Sequence, residues 1–303
     1  MEKPNSNKND YYTDYDIPIK KNIHNYYKKT NKPNIKKKRN LKLWRWIIIF
    51  IILIIITIIS ITKIILWSKN NLDTNNIIKN ININYNETKD NENTEYINKP
   101  NNENDDYYYF INFPLINVDF NELLKKNSDT IAWINVNNTN INYPIVQTTN
   151  NDYYLNHSYN KEQNEAGWIF MDYRNNKNFD NINTIIYGHS RLNKTMFGSL
   201  SKVLKESWYK NKDNHIIRIS TPTENTSWQI FSVYKIKSET YYITTYFNNN
   251  NEYEQFLNTI KNRSKYNFNT TITPNDKIIT LSTCYSNTER TVVHAKLIKK
   301  EKR

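Results

Sequence analysis

Cys284 is the only cysteine in this chain of 303 residues, and it ends the stretch Lys277-Ile-Ile-Thr-Leu-Ser-Thr-Cys284. Ile278, Ile279 and Leu281 among hydroxyl residues predict a short buried strand. The polar run Tyr285-Ser-Asn-Thr-Glu289 breaks it, and Arg290-Thr-Val-Val-His-Ala-Lys-Leu297 predicts a second strand. The pair reads as a hairpin with a five-residue loop. If the loop closes the hairpin directly, Cys284 and Arg290 are facing partners, with Cβ atoms about 4.5–5.5 Å apart. A thiol and a guanidinium then sit side by side at the rim of a sheet. The alternative is a buried cysteine that packs as a small hydrophobe.

A catalytic cysteine needs an acid–base partner and a group that stabilises the oxyanion. The chain has 5 histidines. His24 lies before a long apolar run. His215 begins a predicted strand in a polar context and reads as surface. His294 shares a strand with Arg290, about 13 Å further from the loop, too far to serve Cys284. His157, in Tyr153-Tyr-Leu-Asn-His157, reads as a packing or supporting residue. His189 follows the strand Thr184-Ile-Ile-Tyr187 and Gly188, so it sits at a strand end on a turn, where a side chain is presented. A packing role for it is the competing possibility.

The elements that must position these residues occupy the second half of the chain. Strands are predicted at Ile131–Val136, Ile141–Val146, Gly167–Met171, Thr184–Tyr187, Ile216–Ser220, Trp228–Tyr234 and the final hairpin. Short strands at this density suggest a closed barrel or a sandwich. Two helices interrupt them: Met196, Leu200, Val203 and Leu204 form one apolar stripe, and Tyr253, Phe256, Leu257 and Ile260 another. Asp119-Phe-Asn-Glu-Leu-Leu-Lys-Lys-Asn127 predicts an earlier helix, capped by Asp119 with Glu122 completing a capping box.

Composition excludes several function classes. The formal net charge is +13, but residues 1–45 hold 13 Lys/Arg against 4 Asp/Glu, so most of the excess sits in one tail rather than on a face that could bind nucleic acid. A single cysteine allows no intrachain disulfide, and 3 glycines allow no phosphate-cradling glycine-rich loop. No zinc-type cluster is present. Neither a metal nor a cofactor is expected.

Residues 1–45 read as a disordered basic tail on the cytoplasmic side. Residues 46–67 read as a transmembrane helix about 33 Å long, flanked by Trp44, Trp46 and Trp67, with Lys63 snorkelling to the interface. The run is apolar on all faces, unlike a core helix. No alanine precedes Ala132, so an A-x-A signal-peptide cleavage site is lacking. The N-terminal Lys/Arg excess keeps that end inside. Residues 68–106, rich in Asn, Glu and Asp, read as an extracellular tether, and 107–300 as the catalytic domain.

Tyr187-Gly-His189, Thr280-Leu-Ser-Thr-Cys284 and the following Arg290 resemble the active-site signature of sortases, and more specifically of class B. The similarity extends to Trp133–Gln147, Asp152-Tyr-Tyr-Leu-Asn-His157, Gly167-Trp-Ile-Phe-Met-Asp-Tyr-Arg-Asn175 and Met196-Phe197. The helix before the cysteine strand also fits class B. Two features depart from the family: the gap between Cys284 and Arg290 is short, and Ser286 stands where some members carry an aspartate, so no fourth catalytic acid is assigned.

The resemblance implies a mainly β fold: a closed barrel of about eight strands, with an N-terminal helix and a helix before the cysteine strand, preceded by one transmembrane helix. It implies a membrane-anchored transpeptidase of the Gram-positive cell surface, single-pass, with its catalytic domain outside. Cys284 would attack the threonine carbonyl of a C-terminal sorting signal of Asn-Pro-x-Thr type on secreted proteins. An amine of peptidoglycan or its lipid-linked precursor would take the acyl group. His189 would be the acid–base and Arg290 the oxyanion partner. Ser282, on the same strand face as Cys284, would line the groove; Tyr242 and Ile243 would form another wall. A thiol and an imidazole of ordinary pKa coexist as thiolate and imidazolium in only roughly 1% of molecules at pH 7, which implies slow turnover.

Alternatives are a sortase that joins pilin subunits and a non-catalytic surface-binding domain on the same fold. A papain-like enzyme fits less well, because it places Cys before His. L,D-transpeptidases keep a histidine in a tight motif just before the cysteine, and none is here.

Overall fold

The uncharged run that begins at Trp46 folds as a helix, within α1 (Leu41–Ile81). This computed structural model describes residues 40–81, 85–237, 239–284 and 289–303, without the side chain of Cys284. His24, most of the basic tail and loop residues 285–288 lie outside the described residues. The chain divides into two units, Met1–Ile58 and Ile59–Arg303. In the first, every residue from Asn40 to Ile58 is exposed. Apolar side chains on all faces leave no single stripe to bury. α1 is long and apolar enough to cross a membrane.

In the second unit, the expectation of a tether over 68–106 is corrected. α1 continues to Ile81 and buries Thr74, Ile77 and Ile81. With the half-buried Ile78 these have the i, i+3, i+4, i+7 spacing of one helix face, which the polar average composition hides. Further on, β1 (Asn86–Thr88) and β2 (Thr94–Tyr96) pair with later strands. Two cations tie this segment down. Buried Lys299 donates to Asp90 Oδ1, Ile111 O and Phe113 O at 2.7 Å each, and Arg218 donates to Glu87 at 2.7 Å.

The short helix α2 (Tyr107–Phe110) and β3 (Leu115–Asn117), the partner of β1, lead into α3 (Asn121–Lys126). Here the predicted capping box is absent. Phe120 stands at the cap position, Asp119 Oδ1 accepts from Asn121 N at 2.9 Å, and Glu122 pairs with Lys125.

The later strands are β4 (Thr130–Val136), β5 (Asn142–Val146), β6 (Phe170–Met171), β7 (Asn183–His189), β8 (Ile216–Ser220), β9 (Glu224–Lys237), β10 (Ile278–Cys284) and β11 (Glu289–Lys302). Among the described residues they run in the order β10-β7-β6-β5-β4-β8-β9-β11, and β11 pairs back to β10, which closes a barrel of eight. β2 adds to β11. Each of the eight contributes an apolar side chain to one buried cluster: Ile134, Ile145, Phe170, Ile186, Ile219, Ile230, Leu281 and Val293. Full burial of such a side chain contributes about 1.5–3 kcal/mol, so closure is driven from inside.

The predicted strand Gly167–Met171 is shorter than expected, because Gly167 turns the chain at φ +59°. The stripe from Met196 winds as a 310 helix, Phe197–Leu204, before α4 (Glu206–Tyr209). α5 (Asn250–Asn262) lies before the cysteine strand, as expected. Its N-cap Asn249 accepts from Glu252 N, and Tyr253, Phe256, Leu257 and Ile260 pack with Phe231, Tyr234 and Val292.

Candidate active site

Three neighbouring strands, β7, β10 and β11, carry His189, Cys284 and Arg290. β7 and β10 are parallel and in register from Asn183↔Ile278 to His189↔Cys284, so both end together. Adjacent strands lie about 4.8 Å apart. On the other side of β10 the antiparallel ladder runs from Ile278↔Lys296 to Ser282↔Val292, and Thr291 N donates to Thr283 Oγ1 at 2.9 Å. Carried two residues further in that register, the ladder meets Cys284 and Arg290.

The half-buried His189 donates from Nε2 to the Leu155 carbonyl at 2.6 Å. Leu155 ends a 310 turn, Tyr153–Leu155. Arg290 is also half-buried, with Nη1 donating to Glu289 O at 3.4 Å. It borders a cleft of about 310 Å³, lined in part by Ser190, Arg191, Thr283 and Thr291.

The three residues expected on the substrate groove lie together. Ser282 is buried, and its hydroxyl shares a 3.0 Å hydrogen bond with that of the buried Tyr242. Tyr242 and the half-buried Ile243 sit on the 310 turn Tyr241–Ile243.

Sequence reasoning missed the group that braces this turn. Asp172 is fully buried and accepts from Arg174 Nε at 2.9 Å, Arg174 Nη2 at 2.7 Å and the Tyr187 hydroxyl at 3.0 Å. Burial pushes the Asp172 carboxyl up, but the bonds and charge of Arg174, with help from Tyr187, outweigh this and hold it below the usual carboxylate value. Burial, with Asp172 close by, pushes the Tyr187 phenol up. Arg174 Nη2 also donates to Ile243 O at 3.0 Å. A buried carboxylate thus anchors a guanidinium that reaches the predicted groove wall. The local signal was confined to the family-like stretch 167–175, in which an Asp and an Arg stand two residues apart just past the predicted strand.

The other described histidines serve the frame. His294 is buried opposite Thr280, away from Cys284, as its strand position predicted. Thr280 spends its proton on Asn183 Oδ1, so it accepts from His294 Nδ1, and Nε2 accepts from the Tyr234 hydroxyl at 2.8 Å. Burial lowers the His294 pKa to about 3. The surface position expected for His215 is corrected. It is buried, stacked on Tyr209 and edge-on to Phe268, and burial lowers its pKa to about 4. His157 stacks on Tyr153 at 4.1 Å and donates to its carbonyl, steadying the turn that carries Leu155. Among the described residues no group of His, Cys, Asp and Glu is placed to hold a metal ion.

The family model for the sortase domain matches residues 134–298. Sortase B of Staphylococcus aureus (strain NCTC 8325 / PS 47) is 40% identical over 188 residues, covering 61% of this chain and 76% of that protein. A crystal structure from Bacillus anthracis, described as similar to sortase B, is 44% identical with a TM-score of 0.56, covering 61% of this chain and 83% of that one. The Staphylococcus aureus sortase B–substrate complex is 40% identical with a TM-score of 0.56, covering 59% and 84%. With its eight-stranded barrel and these relatives, the chain belongs to the sortase family, in class B, and is a cysteine transpeptidase.

Proposed function

We propose that this chain is a membrane-anchored sortase that joins secreted proteins to a cell-wall amine, with Cys284, His189 and Arg290 as its catalytic residues. The observation that carries the proposal is the register His189↔Cys284, with the strand of Arg290 on the other side of β10. The Cys284 thiolate attacks the threonine carbonyl of an Asn-Pro-x-Thr-type signal. The S–C bond forms, the C–N bond breaks, and His189 gives its proton to the departing amine. An amine of peptidoglycan or its lipid-linked precursor then attacks the thioester, gives a proton to His189 and releases the thiolate. Arg290 donates to the oxyanion in both halves. Ser282, Tyr242 and Ile243 line the signal groove.

The basic residues before Trp46 stay inside, 46–67 spans the bilayer, and the barrel faces outward. Protease added to wall-stripped cells should then remove the barrel and spare the tail; a protected barrel would reverse the topology.

The chemistry is tested by incubating the full chain in detergent with an Asn-Pro-x-Thr peptide and an amine. Mass spectrometry should find an acyl adduct on Cys284 that the amine discharges, and Cys284→Ala should form none. A library of signal peptides in the same assay identifies the preferred sequence. Wild-type turnover by Cys284→Ala would refute the mechanism.

A further inference from the structure

We propose that Gly167 and the Leu155 carbonyl together lock the His189 ring, which makes Gly167 a positioning residue for proton transfer. The proposal rests on the acid–base role given above to His189.

Gly167 is one of 3 glycines in the chain, and its φ is +59°. Backbone conformation alone does not demand glycine there. The same chain places Asn98, Asn138, Lys161, Phe179, Lys194 and Met196 at positive φ without it. What distinguishes position 167 is space. A Cβ there would lie 2.6 Å from Tyr154 O, 2.8 Å from Leu155 O and 2.9 Å from His189 Cδ2. All three distances are shorter than real Cβ contacts. Two of the three obstacles are backbone oxygens, and the third belongs to the imidazole. A side chain at 167 would therefore wedge between the His189 ring and the carbonyl that accepts from it.

That carbonyl fixes the chemistry of the ring. A carbonyl can only accept, so the 2.6 Å contact with Leu155 O places a proton on Nε2. In the neutral ring Nδ1 is then the basic nitrogen, and in the imidazolium Nδ1–H is the proton to be delivered. The acceptor is itself held rigidly. Leu155 N donates to Asp152 O, Trp168 N donates to Tyr154 O at 2.9 Å, and Gly167 N and Asn164 N bond back to Asn164 O and Asn156 O. The turn that offers the carbonyl and the turn that leaves room for the ring are thus one bonded unit. The backbone before the histidine is fixed as well, because a Cβ on Gly188 would meet the Phe197 ring at 2.8 Å. His189 is steadied through its strand by Phe197 and through its ring by Leu155, and Gly167 permits the second contact.

The test uses Gly167→Asn beside Gly167→Ala in the full chain. Asparagine tolerates positive φ, so it isolates the filled space from the backbone strain. A catalytic group misplaced by about 1 Å loses on the order of 100-fold in rate. Both variants should therefore lose at least about 10-fold in kcat while KM for the signal peptide changes less than about 3-fold. Histidine-labelled unmodified protein, read by long-range proton–nitrogen NMR at alkaline pH, should show the Nε2–H tautomer. The folded variants should show a mixture. Wild-type kcat in Gly167→Asn, or an Nδ1–H tautomer in the unmodified protein, overturns the proposal. The second measurement holds even where the variants fail to fold. An active His189→Ala sinks the acid–base role instead, and leaves the tautomer result standing.

Discussion

His189 and Cys284 are register partners at the last positions of two parallel strands, 183–189 and 278–284. Parallel neighbours need a long crossover, and here that connection holds β8, β9 and α5. The pairing of the two residues therefore depends on closure of the whole barrel. A slip of one residue in either strand would move the partner to the opposite face.

The two barrel histidines on either side of Thr280–Cys284 should respond oppositely to truncation. His189→Ala should lose nearly all turnover and keep the melting temperature. His294→Ala should keep most turnover but melt earlier, because it leaves the buried Tyr234 hydroxyl proton without its acceptor, while Thr280 keeps its bond to Asn183. Each unsatisfied buried group costs about 1–3 kcal/mol. Peptide-cleavage assays with thermal melts check both; loss of turnover in folded His294→Ala would contradict the distance argument.

Arg290→Ala and Arg290→Lys should both fold and both lose about 100-fold or more in turnover, as expected for an oxyanion donor. Lysine does not rescue, because an ammonium lacks the planar fork. Labelling of Cys284 by iodoacetamide should also slow, most in the alanine variant, because a nearby cation favours the thiolate. Turnover by Arg290→Lys within a few-fold of wild type would reduce Arg290 to a local positive charge.

Acid should destabilise the barrel early. His294 and His215 have folded pKa values lowered from 6.5 to about 3 and about 4. Both bind protons more readily unfolded, so the stability they confer is complete above about pH 6.5 and declines as pH falls toward their folded values. The slope is about 1.4 kcal/mol per pH unit for each proton. Denaturant titrations between pH 6.5 and 4 should give a slope near two protons, reduced by one in His215→Phe. A flat profile in this window would contradict the burial of both rings.

Arg174→Lys should act on substrate binding rather than chemistry. The variant loses the fork on Asp172 and the bond to Ile243 O, which ties down the proposed groove wall. A hydrogen bond from a charged group is worth about 1.5–3 kcal/mol. If part of that is felt by the wall, KM for the signal peptide rises about 5-fold or more with kcat nearly unchanged. A fall in kcat at constant KM would place Arg174 elsewhere in the mechanism.

Local patterns in the chain determined much of this protein. The uncharged run from Trp46, the stripe of Tyr253, Phe256, Leu257 and Ile260, and the strands ending at His189 and Cys284 are written in composition and period, which are properties of neighbouring residues. The family signature was equally legible, because its motifs are short and contiguous. Tertiary structure decided the rest. Nothing local says that β7 lies beside β10 rather than elsewhere in the sheet, since strand pairing is chosen by long-range closure. His215 reads as polar surface until Phe268, distant in sequence, closes over it opposite its near neighbour Tyr209. The stripe at Thr74, Ile77 and Ile81 sits in polar surroundings and gains meaning only when a core is there to receive it. Gly167 is one residue in a turn until the His189 ring, brought there by a different strand, occupies the space where its side chain would be.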